Sequence, residues 1–145
     1  MISGESLSIL VLDDDVPFLE SFSDFLIHGG HCVYPATRSL EALELVRKVS
    51  LDLSFLDFDL PDLDGLETFN RIHRQLPALP AIFLTGNPSV ALERKVLEVG
   101  AFALVRKPFD AQRLRIMIRE ATRKDTRLTG HKEMRDGESC DSSAE

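Results

Sequence analysis

The sequence is short of several features that define common protein classes. It has no apolar segment close to the roughly 20 residues that a membrane-spanning helix requires, and residues 1–8 do not combine a basic segment with an apolar one, as a secretory signal does. Its two cysteines, Cys32 and Cys140, lack the spacing of a metal site, and we assign them no chemistry. From these absences we expect a cytoplasmic protein without a membrane anchor.

Positive charge is also in deficit. The chain has 17 lysine and arginine residues against 24 aspartate and glutamate residues, a net charge of -7. A negative protein is repelled by phosphate backbones, so we expect no direct contact with nucleic acid. At 145 residues and 43% hydrophobic, the chain is long enough for one domain with a core. We expect that domain at residues 1–122, followed at 123–145 by a polar tail or linker that is predicted to be disordered.

What the sequence does contain is a strict alternation of two patterns. Five short apolar segments of strand length end near residues 12, 36, 57, 85 and 106, and an amphipathic segment of helical period follows each one. The first helix has Phe18, Phe22, Phe25 and Leu26 on one face, and its phenylalanines are assigned to the core. The second helix is expected at 39–49, with Leu40, Leu43 and Val46 inward, and the fourth is marked by Leu92, Val96 and Leu97. This alternation predicts an α/β fold, a doubly wound parallel sheet with helices on both faces.

Polar residues follow four of the five predicted strands. They are Asp13 with Asp14, Asp57, Thr85 and Lys107. Because the carboxyl ends of parallel strands share one edge of a sheet, we expect these side chains to converge. Two carboxylates about 4 Å apart repel by roughly 4 kcal/mol at an effective dielectric near 20, so a cation is expected, and oxygen ligands of this kind suit Mg²⁺. An ammonium and a hydroxyl nearby could stabilise a transferring phosphoryl group.

This constellation resembles the receiver domain of two-component response regulators. The resemblance extends from about Leu7 to Thr122 and includes the following residues: Asp13, Asp14, Asp57, Pro61, Asp64, Gly65, Thr85, Lys107 and Pro108. It implies a flavodoxin-like, five-stranded sheet in the order 2-1-3-4-5 and a cis peptide bond before Pro108. It also implies a phosphoacceptor signalling domain whose donor is a sensor histidine kinase, a phosphotransfer protein or a small phosphodonor.

The resemblance also implies a role for each residue of the reaction. Asp57 would be the nucleophile, Lys107 would pair with Asp57 at rest and with the phosphoryl oxygens afterwards, and Thr85 would turn toward the new phosphoryl group and drive a conformational switch. Such a domain transfers a phosphoryl group to itself and loses it again, without turnover of an external substrate.

A magnesium site is implied at the same place. Asp14 would ligate Mg²⁺ directly, Asp13 would act through a water molecule, and Asp57 and the backbone carbonyl of Asp59 would complete the protein ligands.

Two features depart from the family pattern or vary within it. An aromatic switch residue often precedes the lysine by three positions, where this chain has Leu104, and the nearest aromatic residue is Phe102. Asp59 and Asn87 occupy positions that flank the path of the hydrolytic water in the family, so we expect them to set the lifetime of the phosphorylated state.

Two other functions are weighed against this one. The Asp-x-Asp pattern of Asp57-Phe58-Asp59, with a threonine and a lysine downstream, also resembles haloacid dehalogenase-type phosphohydrolases, although here an acidic pair precedes it and the chain is too short for their cap region. A receiver-like interaction module that is never phosphorylated is the second alternative. Ile116, off the predicted core face of the fifth helix beside three arginines, suggests either an ordinary solvated helix or a homodimer or output surface that also includes the fourth helix and fifth strand.

Overall fold

The protein is an alternating α/β domain in a computed structural model that describes residues 5–123. The predicted tail at 123–145 lies, apart from Arg123, outside the described residues. The elements in chain order are β1 (Ser8–Leu12), α1 (Val16–His28), β2 (Cys32–Ala36), α2 (Ser39–Lys48), β3 (Leu53–Asp57), α3 (Gly65–Gln75), β4 (Ala81–Thr85), α4 (Val90–Glu98), β5 (Ala103–Arg106) and α5 (Ala111–Thr122).

The strands form one parallel sheet in the order β2-β1-β3-β4-β5. The predicted fold class and strand order are therefore confirmed. Among the described residues, no helix is both long and apolar enough to cross a membrane.

Side-chain alternation along the central strands divides the core into two layers. On β1, Ile9 and Val11 face one side of the sheet and Leu10 and Leu12 face the other, and all four are fully buried. Helices α1 and α5 cover the first side, and we call that side the α1–α5 layer. Helices α2, α3 and α4 cover the second, the α2–α4 layer.

The α1–α5 layer contains a cluster of phenylalanine rings. The ring of Phe22 on α1 lies edge-on to Phe55 of β3 with centroids 4.9 Å apart, and edge-on to Phe109 at 5.0 Å. Phe18 stacks on Phe22 at 5.4 Å, and the phenylalanines predicted to belong to the core therefore do so, although Phe18 and Phe25 are only partly buried. Edge-to-face pairs of this kind add stabilisation beyond the burial of their surface.

The α2–α4 layer also contains phenylalanines, among them Phe69 and Phe83 with ring centroids 5.9 Å apart, and here two predictions were wrong. The stripe of α2 that faces the sheet consists of Ser39, Ala42, Leu43 and Val46, which leaves Leu40 63% exposed. These four positions lie within about 100° on the helical wheel, and Leu40 lies about 110° from the centre of that stripe because it follows Ser39 by a single residue. Helix α4 buries only Val96, and Leu97 is 46% exposed because the next position around the helix faces solvent.

Four of the five helices begin with a side-chain cap directly after a strand-to-helix loop. Asp15, Asp64, Ser89 and Asp110 each accept a hydrogen bond from a backbone N–H of the following first turn. Helix α2 is different, because Arg38 at its N-cap makes no such bond. These capped loops follow β1, β3, β4 and β5 and surround the carboxyl edge of the sheet.

Candidate functional site

Three carboxylates meet at the carboxyl edge of the sheet. Asp13 follows β1 and is fully buried, Asp57 ends β3 and is 4% exposed, and Asp14 is exposed. Each offers one carboxylate oxygen to a group whose members lie within 4.8 Å of one another. Three ionised carboxylates carry a formal charge of -3, and such a cluster of hard oxygen atoms is of the kind that binds a divalent cation.

Lys107 reaches into this cluster from the end of β5. Its Nζ donates a hydrogen bond of 2.8 Å to Asp13 Oδ2 and lies 3.7 Å from Asp57 Oδ1. Lys107 thus forms the expected ion pair with Asp57 and, in addition, a shorter bond with Asp13 that the sequence did not predict. Since the Asp15 N–H donates to Asp13 Oδ1 at 2.9 Å, both oxygens of Asp13 already have protein partners.

Phe18 contributes to the site in a way that sequence reasoning missed. The Lys107 Nζ lies 4.5 Å from the centroid of the Phe18 ring, within the range of a cation–π interaction. Helical periodicity assigned Phe18 only to the core. Its position at the start of α1, one turn from the acidic pair, is the signal that could have placed it beside the site.

The pKa values of Asp57 and Lys107 are both displaced. Burial, and then the charge of Asp13, raise the pKa of Asp57 from 3.8 to about 7, although Lys107 acts in the opposite direction. Burial alone would lower the pKa of Lys107, but the hydrogen bond with Asp13 and the charge of Asp57 outweigh it and raise that pKa. The excess of negative charge around Asp57 is therefore only partly neutralised by protein groups.

Thr85 ends β4 and is almost fully buried, at 1% exposure. Its Oγ1 accepts a hydrogen bond of 3.1 Å from the Asn87 N–H, and its carbonyl accepts one of 2.8 Å from the Lys107 N–H. Asp59 is exposed, and its N–H donates to Asp57 Oδ1 at 3.3 Å. The loops after β3 and β4 therefore place Asp59 and Asn87 next to Asp57 and Thr85 respectively.

Two expectations concern the end of the sheet at β5. The Lys107–Pro108 peptide bond is cis, as the resemblance implies. Leu104 is half-buried within β5 and packs against the α2–α4 layer. Phe102 precedes the strand and is 42% exposed, so among these residues no aromatic side chain occupies the switch position.

Residues 9–119 match the response regulator receiver domain family. The chain belongs to this family. It is 34% identical over 120 residues to the transcriptional regulatory protein ZraR of Klebsiella oxytoca, a match that covers 83% of this chain and 27% of that protein. It is 34% identical over 112 residues to the transcriptional regulatory protein CrdR of Helicobacter pylori, covering 77% of this chain and 53% of the relative.

Solved receiver domains have the same fold. The crystal structure of a CheY-like response regulator receiver domain protein from Methanospirillum hungatei JF-1 superposes with a TM-score of 0.75 at 30% identity, covering 80% of this chain and 93% of that one. By contrast, the chain spans only about a quarter to a half of the two regulators named above. The family match and the shared fold together identify this chain as a receiver domain of two-component signalling.

Proposed function

We propose that this receiver domain accepts a phosphoryl group on Asp57, with Mg²⁺ as cofactor, and changes conformation as a result. The observation that supports this most strongly is the convergence of one acidic cluster, Asp13, Asp14 and Asp57, with the ammonium of Lys107 at the carboxyl edge of the sheet. The donor is the phosphohistidine of a sensor histidine kinase or phosphotransfer protein, or a small phosphodonor.

The donor set suits the proposed metal. Asp13, Asp14 and Asp57 offer oxygens close together, and the loop that contains Asp59 adjoins them, so that its backbone carbonyl is the remaining proposed ligand. When bound, Mg²⁺ would supply positive charge to phosphoryl oxygens and lower the pKa of Asp57. With both its oxygens bonded to protein, Asp13 suits a water-mediated role better than direct ligation.

The chemical step is a displacement at phosphorus. A carboxylate oxygen of Asp57 forms the new P–O bond while the P–N bond to the donor imidazole breaks, and the nitrogen leaves with the bonding electron pair. Lys107, which already lies 3.7 Å from Asp57, is placed to bond a phosphoryl oxygen. Hydrolysis of the resulting mixed anhydride, which reverses the modification, is the only other reaction we propose.

Conformational switching is proposed to involve Thr85. The Thr85 hydroxyl now accepts a hydrogen bond from the Asn87 N–H. After phosphorylation it would turn to donate a hydrogen bond to a phosphoryl oxygen, and the loop between β4 and α4 would move with it. With Leu104 in place of an aromatic residue, this movement would repack an aliphatic side chain in the α2–α4 layer.

The surface formed by α4, β5 and α5 is the proposed site for an output partner or for homodimerisation. It exposes Leu97, Phe102 and Ile116, each more than 40% accessible. An Ile116→Asp variant should remain phosphorylated and lose this association in size-exclusion chromatography with and without beryllofluoride. If the oligomeric state never changes and a candidate output partner binds the variant as it binds the wild type, Ile116 is only a solvated residue.

The remaining proposals concern the whole protein. We propose that the receiver unit ends near residue 122, that the domain acts in the cytoplasm, where its kinase donor acts, and that it does not contact nucleic acid itself. The net charge of -7 supports the last point.

Phosphorylation can be tested directly. Incubation with acetyl phosphate and Mg²⁺, followed by mass spectrometry of peptides, should add one phosphoryl group at Asp57, and Asp57→Asn or chelation of Mg²⁺ should abolish it. Steady turnover of phosphate esters would instead favour the phosphohydrolase alternative. An absence of spectral change with Mg²⁺ and beryllofluoride, together with no phosphorylation, would favour an interaction module.

A further inference from the structure

The N-terminus of α2 obtains its cap from a distant segment. Arg38 makes no side-chain cap, and the first N–H groups of the helix are satisfied instead by Asp62, more than twenty residues along the chain. The Ser39 N–H donates to Asp62 Oδ1 at 3.1 Å, and the Leu40 N–H donates to Asp62 Oδ2 at 3.3 Å. A carboxylate in this place satisfies donors that the helix itself leaves unbonded and faces the positive end of the helix dipole.

The protonation behaviour of Asp62 agrees with this geometry. Burial alone would raise the pKa of Asp62, but the backbone N–H groups of Ser39, Leu40 and Leu63 outweigh it and lower that pKa. Asp62 Oδ1 also accepts a bond of 3.0 Å from the Leu63 N–H. The charged carboxylate therefore ties its own loop and α2 together.

A buried hydroxyl pair strengthens the same junction. Ser39 Oγ and Thr68 Oγ1 lie 2.8 Å apart, and both residues are fully buried. Thr68 Oγ1 donates in turn to the carbonyl of Asp64 at 3.0 Å. The start of α2, the loop between β3 and α3, and the first turn of α3 are thus joined by a continuous set of hydrogen bonds.

The loop between β3 and α3 is also closed at its base. The Gly65 N–H donates to the Phe58 carbonyl at 3.2 Å, and a Cβ at position 65 would lie only 2.7 Å from that oxygen. The Phe58 N–H is bonded to the Leu84 carbonyl at 2.9 Å. Between these fixed ends Leu60 and Leu63 pack against the α2–α4 layer, and Asp62 adds a polar anchor to α2 in the segment that begins with Asp59.

We propose that Asp62 is a positioning residue for the magnesium site. By capping α2 from across the loop, it holds the backbone of Asp59 in place beside Asp57. This inference rests on the proposed function, and it adds to that function a residue that touches neither the metal nor the phosphoryl group. Loss of Asp62 should weaken binding of Mg²⁺ more than it slows the chemical step.

Glu41 provides a matched control. Its Oε1 accepts bonds from the Thr37 N–H at 2.8 Å and from the Thr37 hydroxyl at 3.2 Å at the same end of α2, and neither bond involves the loop between β3 and α3. Glu41→Ala removes one negative charge near the start of α2, as Asp62→Ala does, together with the acceptor for the Thr37 N–H, but leaves both bonds from α2 to Asp62 intact. A second comparison adds Arg38→Asp to Asp62→Ala, which gives α2 a cap of its own without restoring the tether.

The test measures Mg²⁺ binding by the amide chemical shifts of residues 57–59 during titration, and acetyl phosphate reactivity at limiting and saturating Mg²⁺. Asp62→Ala should weaken Mg²⁺ binding about tenfold, at the low end of effects for residues that orient metal ligands. Its phosphorylation rate at saturating Mg²⁺ should stay within about twofold of the wild type. Asp62→Asn, which keeps one acceptor oxygen, should show an intermediate loss of affinity.

Amide hydrogen exchange at Leu40 provides a readout that is independent of metal. Arg38→Asp should reverse the faster exchange caused by Asp62→Ala but leave Mg²⁺ affinity low. Equal affinities for Asp62→Ala and Glu41→Ala, or recovery of affinity with Arg38→Asp, would overturn the proposal, because Asp62 would then act only through α2. A wild-type protein that neither binds Mg²⁺ nor is phosphorylated would refute the proposed function, and this inference with it.

Discussion

The α1–α5 layer and the α2–α4 layer support different parts of the candidate site. When the strand alternation is continued past the strand ends, Asp13, Asp57 and Lys107 have the parity of the α1–α5 layer, whereas Thr85 and Leu104 have that of the α2–α4 layer. The first group thus adjoins the stacked phenylalanine rings. The second adjoins α4, which buries a single residue, Val96.

This difference indicates where the domain can move. Ring contacts of 4.9 to 5.4 Å join α1 to β3 and to Phe109, and the Lys107 Nζ lies 4.5 Å from the centroid of the Phe18 ring. We therefore expect the first layer to preserve the geometry that the reaction needs. Helix α4, with few buried apolar contacts, belongs to the part of the fold that opens at low energetic cost. We therefore expect the response to phosphorylation to occur mainly in the second layer.

The largest effect on the free energy of unfolding should come from removing a ring of the phenylalanine cluster in the α1–α5 layer. Phe22→Ala should lower the free energy of unfolding by about 3–5 kcal/mol, because it removes a fully buried ring and leaves a cavity. Val96→Ala should cost about 2 kcal/mol, because two buried methyl groups are lost. Urea denaturation checks both, with exposed Leu97→Ala as the control, expected within about 0.5 kcal/mol of the wild type. Equal losses for Phe22 and Val96 would remove the contrast between the layers.

A second prediction concerns the negative charge of Asp57, which adjoins the α1–α5 layer. The folded-state pKa of Asp57, about 7, is above its ordinary value of 3.8, so ionisation of Asp57 reduces stability as pH rises between these values, and the penalty is complete above pH 7. Without metal, Asp57→Asn should therefore stabilise the protein by on the order of 2 kcal/mol at pH 8, since one pKa unit corresponds to 1.36 kcal/mol and relaxation offsets part of the shift.

The same substitution should have almost no effect near pH 4, where the carboxyl group is protonated in the folded protein. Thermal denaturation at both pH values, in chelator, provides the measurement. A gain in stability that is independent of pH would show that Asp57 does not titrate in this way.

The smallest effects are expected at the exposed loop residues Asp59 and Asn87. Asp59→Asn and Asn87→Ala should change the dephosphorylation rate severalfold, about 1 kcal/mol in activation free energy, because both positions adjoin the path of the attacking water. Stability should change by no more than about 0.5 kcal/mol. Mass spectrometry can follow the decay of the phosphorylated protein after the phosphodonor is removed. Unaltered rates in both variants would show that Asp59 and Asn87 do not set the lifetime of the phosphorylated state.

The sequence contained enough information for the fold, the strand order and the residues that converge at the carboxyl edge. Periodicity predicts strands well where both faces are buried, as in β3 and β4, and polar residues at the strand ends identified Asp13, Asp57, Thr85 and Lys107. Periodicity failed at Leu40, which lies outside the buried stripe of α2, and at Leu97, because α4 buries only Val96.

Contacts between distant segments were beyond the reach of local patterns. The choice of Asp13 over Asp57 as the closer partner of Lys107 depends on differences of about one ångström in side-chain position. The bond from Asp62 to α2 joins residues whose sequence neighbourhoods do not indicate any contact, since an aspartate in a loop is ordinarily explained by the loop itself.

The close approach at Gly65 has a consequence for natural and laboratory variation. A saturation library of this chain, selected for signalling, should return only glycine at position 65, since even a methyl group would collide with the carbonyl of Phe58. Position 62 should tolerate a few oxygen-bearing residues at reduced fitness. The sets of residues accepted at positions 62 and 65 would in this way distinguish a polar contact from a steric requirement within residues 58–65.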